Sequence, residues 1–381
     1  MRRGMIVALI FLFVGATVEL GAEVRLARTP NGGIQPQAAV DKNGKLHLIY
    51  FKGEPIRGDV WYVSGASVEE LSKPIRVNSV PRSVIATGSI RGAHLAVDGE
   101  GRPHVAWMGS DQAQPRPKSG APMLYTRLNA AGDAFEAQRN LVTWATGLDG
   151  GGSLAADREG NVYVAWHAGP EGHDAGEQAR GVFVATSRDS GKTFARERRV
   201  DEPKMGACGC CGMRAFAGES GRLALLYRTA NGKSRDMRLL ISADKGESFK
   251  SMIVGRWEID TCPMSDPGLA ESNDRLLVVT GRKGRIRLNG VPNPWKVGFA
   301  PINSLASKDA RLPVVANNRK GETLIAWTEG TGWDRGGTLA WQVTQSDWLT
   351  SIEPRRIKGA IPVWGILSAV ALPDGDFVLF H

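Results

Sequence analysis

The chain has 381 residues, a formal net charge of +9 at pH 7 and 42% hydrophobic residues. This length exceeds one typical domain but suits a single β architecture built from repeats. The positive charge favours acidic partners such as anionic sugars, yet basic and acidic residues are interspersed without a long basic run. The charge pattern therefore indicates a solvated, mildly cationic surface and argues against a nucleic-acid-binding module.

The N-terminus has the layout of a secretory signal peptide. A basic MRRG start precedes the apolar run MIVALIFLFVGATV, which is short for a membrane span. The small residues Gly21 and Ala22 favour cleavage after Ala22, and no cysteine stands there to take a lipid. An uncleaved N-terminal anchor is the alternative. We predict a signal peptide over 1–22, one β-propeller domain over 23–381 without a further membrane span, and a periplasmic or secreted location.

Seven strand–turn–strand units recur along the chain at intervals of about fifty to sixty residues. Each unit has an apolar strand, a turn rich in Asp, Asn and Gly, and a second apolar strand that often ends in Trp or Tyr. The units are 38–51, 95–108, 154–167, 216–228, 269–282, 315–328 and 370–381. Such strands are typical of burial on two faces. The pattern predicts an all-β propeller of four-stranded blades, seven in number, with each unit supplying the inner strands A and B.

The last unit ends the chain after strand B, so its blade needs another strand. The segment EVRLA at 23–27 is well placed to supply one, which would join the chain ends and remove exposed sheet edges. The loops 112–122 and 169–181, rich in Gly and Pro, follow strand B of blades two and three. Loops on that face, together with those entering strand A, are where we expect a ligand site.

All four cysteines lie in two segments that enter strand A of neighbouring blades: Cys208, Cys210 and Cys211 in blade four, and Cys262 in blade five. Blade register predicts that these segments converge near the central axis. In an exported protein, disulfide bonding is the default. One arrangement joins Cys262 to a member of the CGCC run, with another pair inside the run, but the sequence does not fix the pairing.

The same segments also offer ligands for a soft metal ion. Thiolates with the thioethers of Met205, Met213 and Met264 suit copper(I), and His167 reaches the same face from the loop after strand B. The CxCC run lacks the paired two-residue spacing typical of zinc sites, and no CxxCH motif for haem attachment is present. A redox-active thiol is a further alternative, although it would lack the CxxC spacing.

Three arginines form a second candidate site. Arg91, Arg214 and Arg311 are expected shortly before the A-to-B turn of blades two, four and six, pointing into the central funnel. Fixed guanidinium groups there would bind a carboxylate, sulfate or phosphate. The alternative is three unrelated arginines, each exposed or ion-paired.

Two turns share the pattern Ser-x-Asp-x-Gly-x-x-Phe. The Asp can accept hydrogen bonds from turn amides, the Gly can take a positive φ, and the Phe anchors the outgoing strand. The residues are Ser187, Asp189, Gly191 and Phe194 in blade three, and Ser242, Asp244, Gly246 and Phe249 in blade four. This pattern resembles the Asp-box, or BNR repeat, of sialidase-like β-propellers. The resemblance implies structural turns between strands C and D, and it adds a six-bladed alternative, because sialidase relatives usually have six blades.

The chain also resembles a group of exported bacterial BNR-repeat proteins that contain a CxCC run. Here the shared elements are the CGCC run, Tyr227-Arg228, Arg235-Asp236 and Cys262-Pro263. A sialidase would also need a tyrosine nucleophile on a late loop and an early Arg-Ile-Pro motif. The five tyrosines instead fall in the strand runs, and Arg28-Thr29-Pro30 is the nearest approach to the early motif.

We therefore expect a ligand- or partner-binding protein with a Cys-rich site on the inner loop face and without sialidase activity. Its partners would be an acidic carbohydrate, an anionic small molecule or a protein. One alternative is a glycoside hydrolase or lyase acting on acidic carbohydrate, and another is a copper(I)-binding or thiol-redox protein. Nothing in the sequence selects a catalytic pair from the acids on presumed face loops, which are Asp149, Asp260, Asp266 and Glu329.

Overall fold

The computed structural model describes residues 21–381 except 170–175, 219–220, 262–263, 273–274, 294, 296–297, 299, 306, 308 and 346–352. This part of the chain contains 27 β-strands, numbered β1 to β27, one 3-10 turn at Pro30–Gly32 and no α-helix. The strands form seven sheets. Six sheets have four strands in the order A, B, C, D, and all their neighbouring strands are antiparallel.

The blades follow one another along the chain. Blade one contains β2 (Ile34–Val40), β3 (Leu46–Glu54), β4 (Arg57–Gly65) and β5 (Ile75–Arg76); blade two contains β6 (His94–Val97), β7 (Pro103–Met108), β8 (Met123–Arg127) and β9 (Arg139–Asn140); blade three contains β10 (Ser153–Ala156), β11 (Val162–Ala168), β12 (Gly181–Ser187) and β13 (Arg198–Arg199).

The second half of the molecule continues the pattern. Blade four contains β14 (Arg214–Ala217), β15 (Leu223–Arg228), β16 (Met237–Ser242) and β17 (Lys250–Gly255); blade five contains β18 (Gly268–Glu271), β19 (Arg275–Arg282), β20 (Arg285–Pro292) and β21 (Ala300–Leu305); blade six contains β22 (Ala310–Asn317), β23 (Thr323–Glu329), β24 (Gly337–Thr344) and β25 (Arg355–Ile361); blade seven contains β26 (Ser368–Ala371), β27 (Phe377–Phe380) and β1 (Val24–Ala27).

The innermost strands close a ring. Each strand A contacts strand A of the next blade, and the series returns from β26 to β2. This confirms the seven-bladed propeller and excludes the six-bladed alternative. We call the face at which strands A begin and strands B end the entry face.

The N-terminal strand closes the seventh blade, as the sequence predicted. Strand β1 pairs in parallel with β27, with Val24 opposite Phe377 and Ala27 opposite Phe380. The amide of Thr29 also donates a hydrogen bond to the carbonyl of His381, at 3.0 Å. The seventh sheet has three strands among the described residues, so closure supplies strand C alone.

Large aromatic side chains fill the spaces between blades. Trp107, Trp166 and Trp327 each stand in a strand B and are buried almost completely. The indole nitrogens of Trp107 and Trp166 donate hydrogen bonds to backbone carbonyls on the incoming loops, both at 3.3 Å. Because a buried Trp removes a large apolar area from water and needs one partner for its N–H, these positions fix both the packing and the loop position.

The two Ser-x-Asp-x-Gly turns lie between strands C and D. In the first, the Ser187 hydroxyl donates to Asp189 at 2.7 Å, and the amide of Gly191 donates to Ser187 at 2.9 Å. Gly191 has φ 75°, and a Cβ there would lie 1.7 Å from the hydroxyl of Tyr125 in the preceding blade. Phe194 packs edge-on against the same tyrosine, with ring centroids 4.7 Å apart. The turn therefore joins neighbouring blades, which is a structural role.

The turn of blade four repeats this geometry. The Ser242 hydroxyl donates to Asp244 at 2.7 Å, and the amide of Gly246 donates to Ser242 at 2.8 Å. Hydrogen bonds from Ser248, together with the one from Ser242, lower the pKa of Asp244 to about 2. Phe249 packs against the apolar cluster between blades three and four.

The opposite face carries a buried chain of polar groups that the sequence analysis did not identify. Asp98 accepts hydrogen bonds from two amides of its A-to-B turn, and its second oxygen lies 3.2 Å from His104 Nε2. His104 Nδ1 lies 2.7 Å from the Tyr125 hydroxyl. Blade one repeats the arrangement with Asp41, His47 and Tyr62. Repetition in two blades and full burial of His104 indicate a structural network.

The predicted signal peptide falls mostly outside the described residues, which begin at Gly21. Over the described part of the chain, no helix has the length and hydropathy needed to cross a membrane.

Candidate functional site

The CGCC run lies on the entry face, in the loop between β13 and β14. Cys208 and Cys211 are buried and are free thiols, and Cys210 is half-buried. The Sγ of Cys208 lies 3.2 Å from that of Cys210 and 3.5 Å from that of Cys211. All three sulfur atoms lie within 4.8 Å of one another. We call these three residues the thiol cluster.

Backbone hydrogen bonds hold the thiol cluster on the end of strand B. The amide of Cys208 donates to the carbonyl of Arg228 at 2.9 Å. The amide of Gly209 donates to the Glu177 carboxylate at 2.9 Å, and Glu177 also pairs with Arg235 at 3.1 Å. These contacts come from the B-to-C loops of blades three and four, so two blades fix the position of the run.

The residues that follow Cys262 and Pro263 lie beside the thiol cluster. Cys262 and Pro263 lie outside the described residues, but the residues after them contact the CGCC run directly. The amide of Gly212 donates to the carbonyl of Ser265 at 2.9 Å, and the Ser265 hydroxyl donates to Cys211 Sγ at 3.6 Å. The segments that carry the cysteines of blades four and five therefore meet.

Arg228 is the charged group of this site. Its side chain is buried, its Nε donates to Ser265 Oγ at 3.0 Å, and its guanidinium stacks 4.9 Å above the ring centre of Trp257. Trp257 is held in turn by Asp236, which accepts its amide at 2.9 Å. Sequence reasoning quoted Arg228 and Asp236 without giving them a role. The feature of the sequence that could have identified Arg228 is that the apolar strand LALLYR ends in an arginine.

The two free thiols are not equivalent. Burial alone would raise the pKa of Cys211, but the hydrogen bond from Cys208 and the nearby Arg228 guanidinium lower that pKa to about 6. The pKa of Cys208 is raised, because its proton is held in the hydrogen bond to Cys211 and because the thiol is buried. The pair is therefore arranged as one thiolate accepting a hydrogen bond from one thiol.

The statement that a redox pair would lack CxxC spacing was wrong. Cys208 and Cys211 are separated by two residues, Gly209 and Cys210, so the run contains a CxxC pair as well as CxCC. Their sulfur atoms lie 3.5 Å apart, and both residues are free thiols, so the CxxC pair is also close in three dimensions.

The other soft-metal candidates are placed differently. Met213 is buried within the apolar cluster between blades three and four, and Met264 lines cavities on the entry face. Met205 is half-buried, with its carbonyl accepting the amide of Ala230 at 3.3 Å. His167 is buried beneath Gly150, whose amide donates to its Nε2 at 3.2 Å. Burial lowers the pKa of His167 to about 3, so the ring is neutral.

The three candidate arginines stand at the beginning of strand A, on the entry face, rather than shortly before the A-to-B turn. Arg91 Nη2 pairs with Asp149 at 3.1 Å. Arg311 is exposed. Arg91 is therefore in an ion pair, whereas the Arg311 side chain faces solvent.

Arg214 belongs to a polar group near the axis. It pairs with Asp266 at 2.5 Å and lies 3.2 Å from His94 Nδ1. Burial raises the pKa of Asp266 to about 6, against the opposing effect of Arg214. Arg214 also lines the axial cavity of about 430 Å³, whose remaining lining is mainly apolar. It is the one charged residue of that lining in the described part of the chain.

The four candidate acids occupy separate ion pairs. Asp149 lies between Arg91 and Arg180, Asp260 pairs with Lys233, Asp266 with Arg214, and Glu329 with Arg356. Glu329 is the last residue of β23 and also accepts the indole N–H of Trp327 at 3.0 Å. These contacts give each acid a structural partner.

Comparison with known proteins supports the architecture. No family model matches the sequence, and no curated protein matches it. Among solved structures, a protein of unknown function from Dyadobacter fermentans is 15% identical, with a TM-score of 0.51 over 81% of this chain and 94% of that one.

Two enzymes of known class show the same likeness. The NanB sialidase from Streptococcus pneumoniae is 9% identical, with a TM-score of 0.53 over 86% of this chain and 67% of that one. The polysaccharide lyase Uly1 is 12% identical, with a TM-score of 0.50 over 83% and 78% of the two chains. At these identities the likeness shows the fold alone, that of a β-propeller.

Proposed function

We propose that this protein is a binding propeller whose thiol cluster takes a soft metal ion, and that copper(I) is the ion its ligands favour. The observation that carries the proposal is the pair of free thiols, Cys208 and Cys211, whose sulfur atoms lie 3.5 Å apart on the entry face, with the sulfur of Cys210 3.2 Å from that of Cys208. Thiolate ligands select copper(I) over hard cations such as magnesium or calcium.

The sulfur positions need little adjustment to share one ion. With a metal–thiolate distance of about 2.3 Å, three sulfurs around a single ion lie about 4 Å apart. The distances from Cys208 to Cys210 and Cys211 are 3.2 and 3.5 Å. An outward movement of less than about 1 Å for each pair is therefore sufficient, which is within the reach of side-chain rotation.

The surroundings compensate the charge of such a site. Two thiolates around copper(I) carry one net negative charge, and the Arg228 guanidinium, which lowers the pKa of Cys211, is the cation that balances it. The Ser265 hydroxyl donates to the sulfur of Cys211. Groups such as these, which contact the ligands rather than the metal, orient the ligands and commonly contribute about 10- to 100-fold in metal affinity.

The oxidation state of the run decides how many ligands are available. We propose that the oxidised protein contains a disulfide between Cys210 and Cys262, because Cys208 and Cys211 are the free thiols of the run and residues 264–266 lie against it. In that state two thiols remain for the metal. Reduction would add Cys210 as the third ligand, and it would make copper binding respond to the redox state of the compartment.

The experiment is a copper(I) competition against bicinchoninate, under anaerobic and reducing conditions, with the protein purified without its signal segment. The wild type is expected to bind one copper(I). Cys208→Ser and Cys211→Ser are expected to lose more than the roughly 10- to 100-fold in affinity that a supporting residue costs. The matched control is Met213→Leu, which keeps a buried apolar side chain and should bind like the wild type. No retention of copper by the wild type, or equal affinity in the cysteine variants, would refute the proposal.

The second candidate is a dithiol that undergoes thiol–disulfide exchange. The CxxC spacing, the 3.5 Å separation of Cys208 and Cys211 and the adjacent Arg228 favour it. With glutathione disulfide as oxidant, the two thiols would form one disulfide and release two molecules of reduced glutathione. Mass spectrometry after equilibration in glutathione buffers would detect the loss of two hydrogens between these residues. The absence of that product at every ratio would exclude this candidate.

We further propose that the protein is exported and has no sialidase activity. The five tyrosines support the second point, because Tyr50, Tyr62, Tyr125, Tyr163 and Tyr227 are all buried in strands. Burial raises the pKa of each, which is the reverse of what an activated nucleophile requires. Release of methylumbelliferone from a sialoside substrate would contradict the proposal.

A further inference from the structure

A cavity of about 350 Å³ on the entry face lies beside the thiol cluster. Ser265, which donates to Cys211, and Trp257, which stacks on Arg228, line the cavity, but the three cysteines of the thiol cluster do not. Its lining comes from three parts of the chain: described residues of the loop before β18, the turn from Gly281 to Gly284 between β19 and β20, and the first residues of β22. The loop residues are Trp257, Ile259, Thr261, Met264 and Ser265. The volume of the cavity is in the range of sites for small organic ligands. We call it the blade-five cavity.

The charged groups of the blade-five cavity have one sign. Arg282, Lys283 and Arg311 line it, and none of the residues lining it in the described part of the chain is acidic. No ion pair engages any of the three within those same residue ranges. The neighbouring acids are already paired, Asp260 with Lys233 and Asp266 with Arg214. Asp309 precedes the cavity segment of β22 but does not line it.

One of the three cationic residues, Lys283, stands in a left-handed backbone conformation. Lys283 has φ 50° and is followed by Gly284 at φ 71°, so they form a two-residue hairpin turn with both φ values positive. Asn or Gly is usual at the first position of such a turn, and a lysine is less favourable there. Leu312, at φ 49°, is a second non-glycine residue with a positive φ in the lining of this cavity. Left-handed non-glycine residues concentrate at ligand sites.

The remaining lining is apolar. Trp257, Ile259, Met264 and Leu312 form the walls between the cationic groups. A ring with an apolar face packs well on such walls, and guanidinium and ammonium groups bind carboxylate or sulfate oxygens. We propose that the blade-five cavity binds an anionic saccharide, of one or two sugar units, through Arg282, Lys283 and Arg311. This proposal is independent of metal binding at the thiol cluster.

Isothermal titration calorimetry tests the inference on the full mature chain. The probes are digalacturonate, a sulfated galactobiose and neutral galactobiose, at low and at moderate salt. One or both acidic probes are expected to bind, and the neutral probe is not. Preference for digalacturonate identifies a carboxylate site, and preference for the sulfated probe identifies a sulfate site. Affinity should fall as salt rises, because the contacts are electrostatic.

The variants are Lys283→Gln and Arg311→Gln, each expected to weaken binding of the acidic probe about tenfold. The matched control is Lys358→Gln, an exposed lysine on β25 away from the cavity, which should leave affinity unchanged. A thermal melt of each variant checks that it is folded. Equal binding of neutral and acidic probes, no binding of any acidic probe, or the same loss in the control would overturn the proposal.

Discussion

Glu197 offers a direct test of how the loops of the entry face are held in position. It precedes β13 in blade three and is nearly fully buried. Its carboxylate accepts the amides of Thr143, Trp144 and Ala145 at 2.7, 2.8 and 3.1 Å, and the Thr143 hydroxyl at 2.6 Å. These residues belong to the loop that carries Asp149 and Gly150 to the entry face. One side chain of blade three therefore fixes the loop arriving from blade two.

Glu197→Ala should lower the free energy of unfolding by about 3 kcal/mol. Hydrogen bonds to a charged group contribute about 1.5–3 kcal/mol each, and an orphaned buried donor costs about 1–3 kcal/mol. The sum is reduced because Thr143 is exposed and its amide can take water, whereas Ala145 stays buried. For a domain of about 360 residues, 3 kcal/mol corresponds to a fall in Tm of about 4 °C, measured by calorimetry.

The pH dependence of the Glu197 effect has a definite sign. Burial acts to raise the pKa of Glu197, but hydrogen bonds from Thr143, Trp144 and Ala145 outweigh it and lower the pKa below 4.5. The stabilisation is therefore present above pH 4.5 and lost as pH falls through the folded-state value. Glu197→Gln should lose about half as much stability as Glu197→Ala, and less at low pH.

The control is Glu202→Gln, which removes a carboxylate that is 56% exposed and lies 3.3 Å from Arg238. A surface ion pair of this kind contributes about 0–1 kcal/mol. The reasoning is refuted if Glu197→Ala melts with the wild type, or if Glu202→Gln falls as far as Glu197→Ala.

Three further predictions concern the blades and their closure. Gly191→Ala should lower the free energy of unfolding by about 2 kcal/mol more than Gly132→Ala, because both glycines have a positive φ but only Gly191 packs against Tyr125. Equal melting temperatures of the two variants would contradict this. Asp189→Ala should lower the free energy of unfolding, measured in denaturant, by about 1 kcal/mol, since Asp189 is only half-buried and water can replace part of its hydrogen bonding. Copper binding should be unchanged, and lost binding in a stable variant would contradict its structural role. A chain beginning at Arg28 lacks β1 and leaves the edge of β27 unpaired, so it should self-associate on size-exclusion chromatography; a monomer with wild-type stability would contradict closure.

The architecture was predictable because it follows from periodicity. The seven units, the pairing of strands A and B, and the use of the N-terminal segment to complete the last blade are all visible as repeats of apolar strands. The outer strands were less visible, because β5, β9 and β13 have only two residues each. Such short edge strands carry little hydrophobic pattern, and their position depends on the blade next to them.

The site was predictable at the level of loops but not of side chains. Blade register indicated that the CGCC run and the segment after Cys262 would meet, and Ser265 does contact Cys211. The sequence did not indicate that Arg228 would lie under the cluster. A strand B arginine is ordinarily expected to reach solvent, and the hydrogen bonds of Arg228 to Ser265 and to the Arg235 carbonyl, with its stacking on Trp257, show why it remains buried. The CxxC pair was visible in the sequence but was missed, because the run was examined as CxCC.

X-ray absorption at the copper edge, on reduced protein loaded with one equivalent of copper(I), tests the central claim most directly. The account predicts a first shell of sulfur alone, two or three atoms at about 2.3 Å, and its loss in Cys211→Ser. A first shell dominated by nitrogen or oxygen, or a spectrum unchanged by that substitution, would contradict the assignment of the thiol cluster as the metal site.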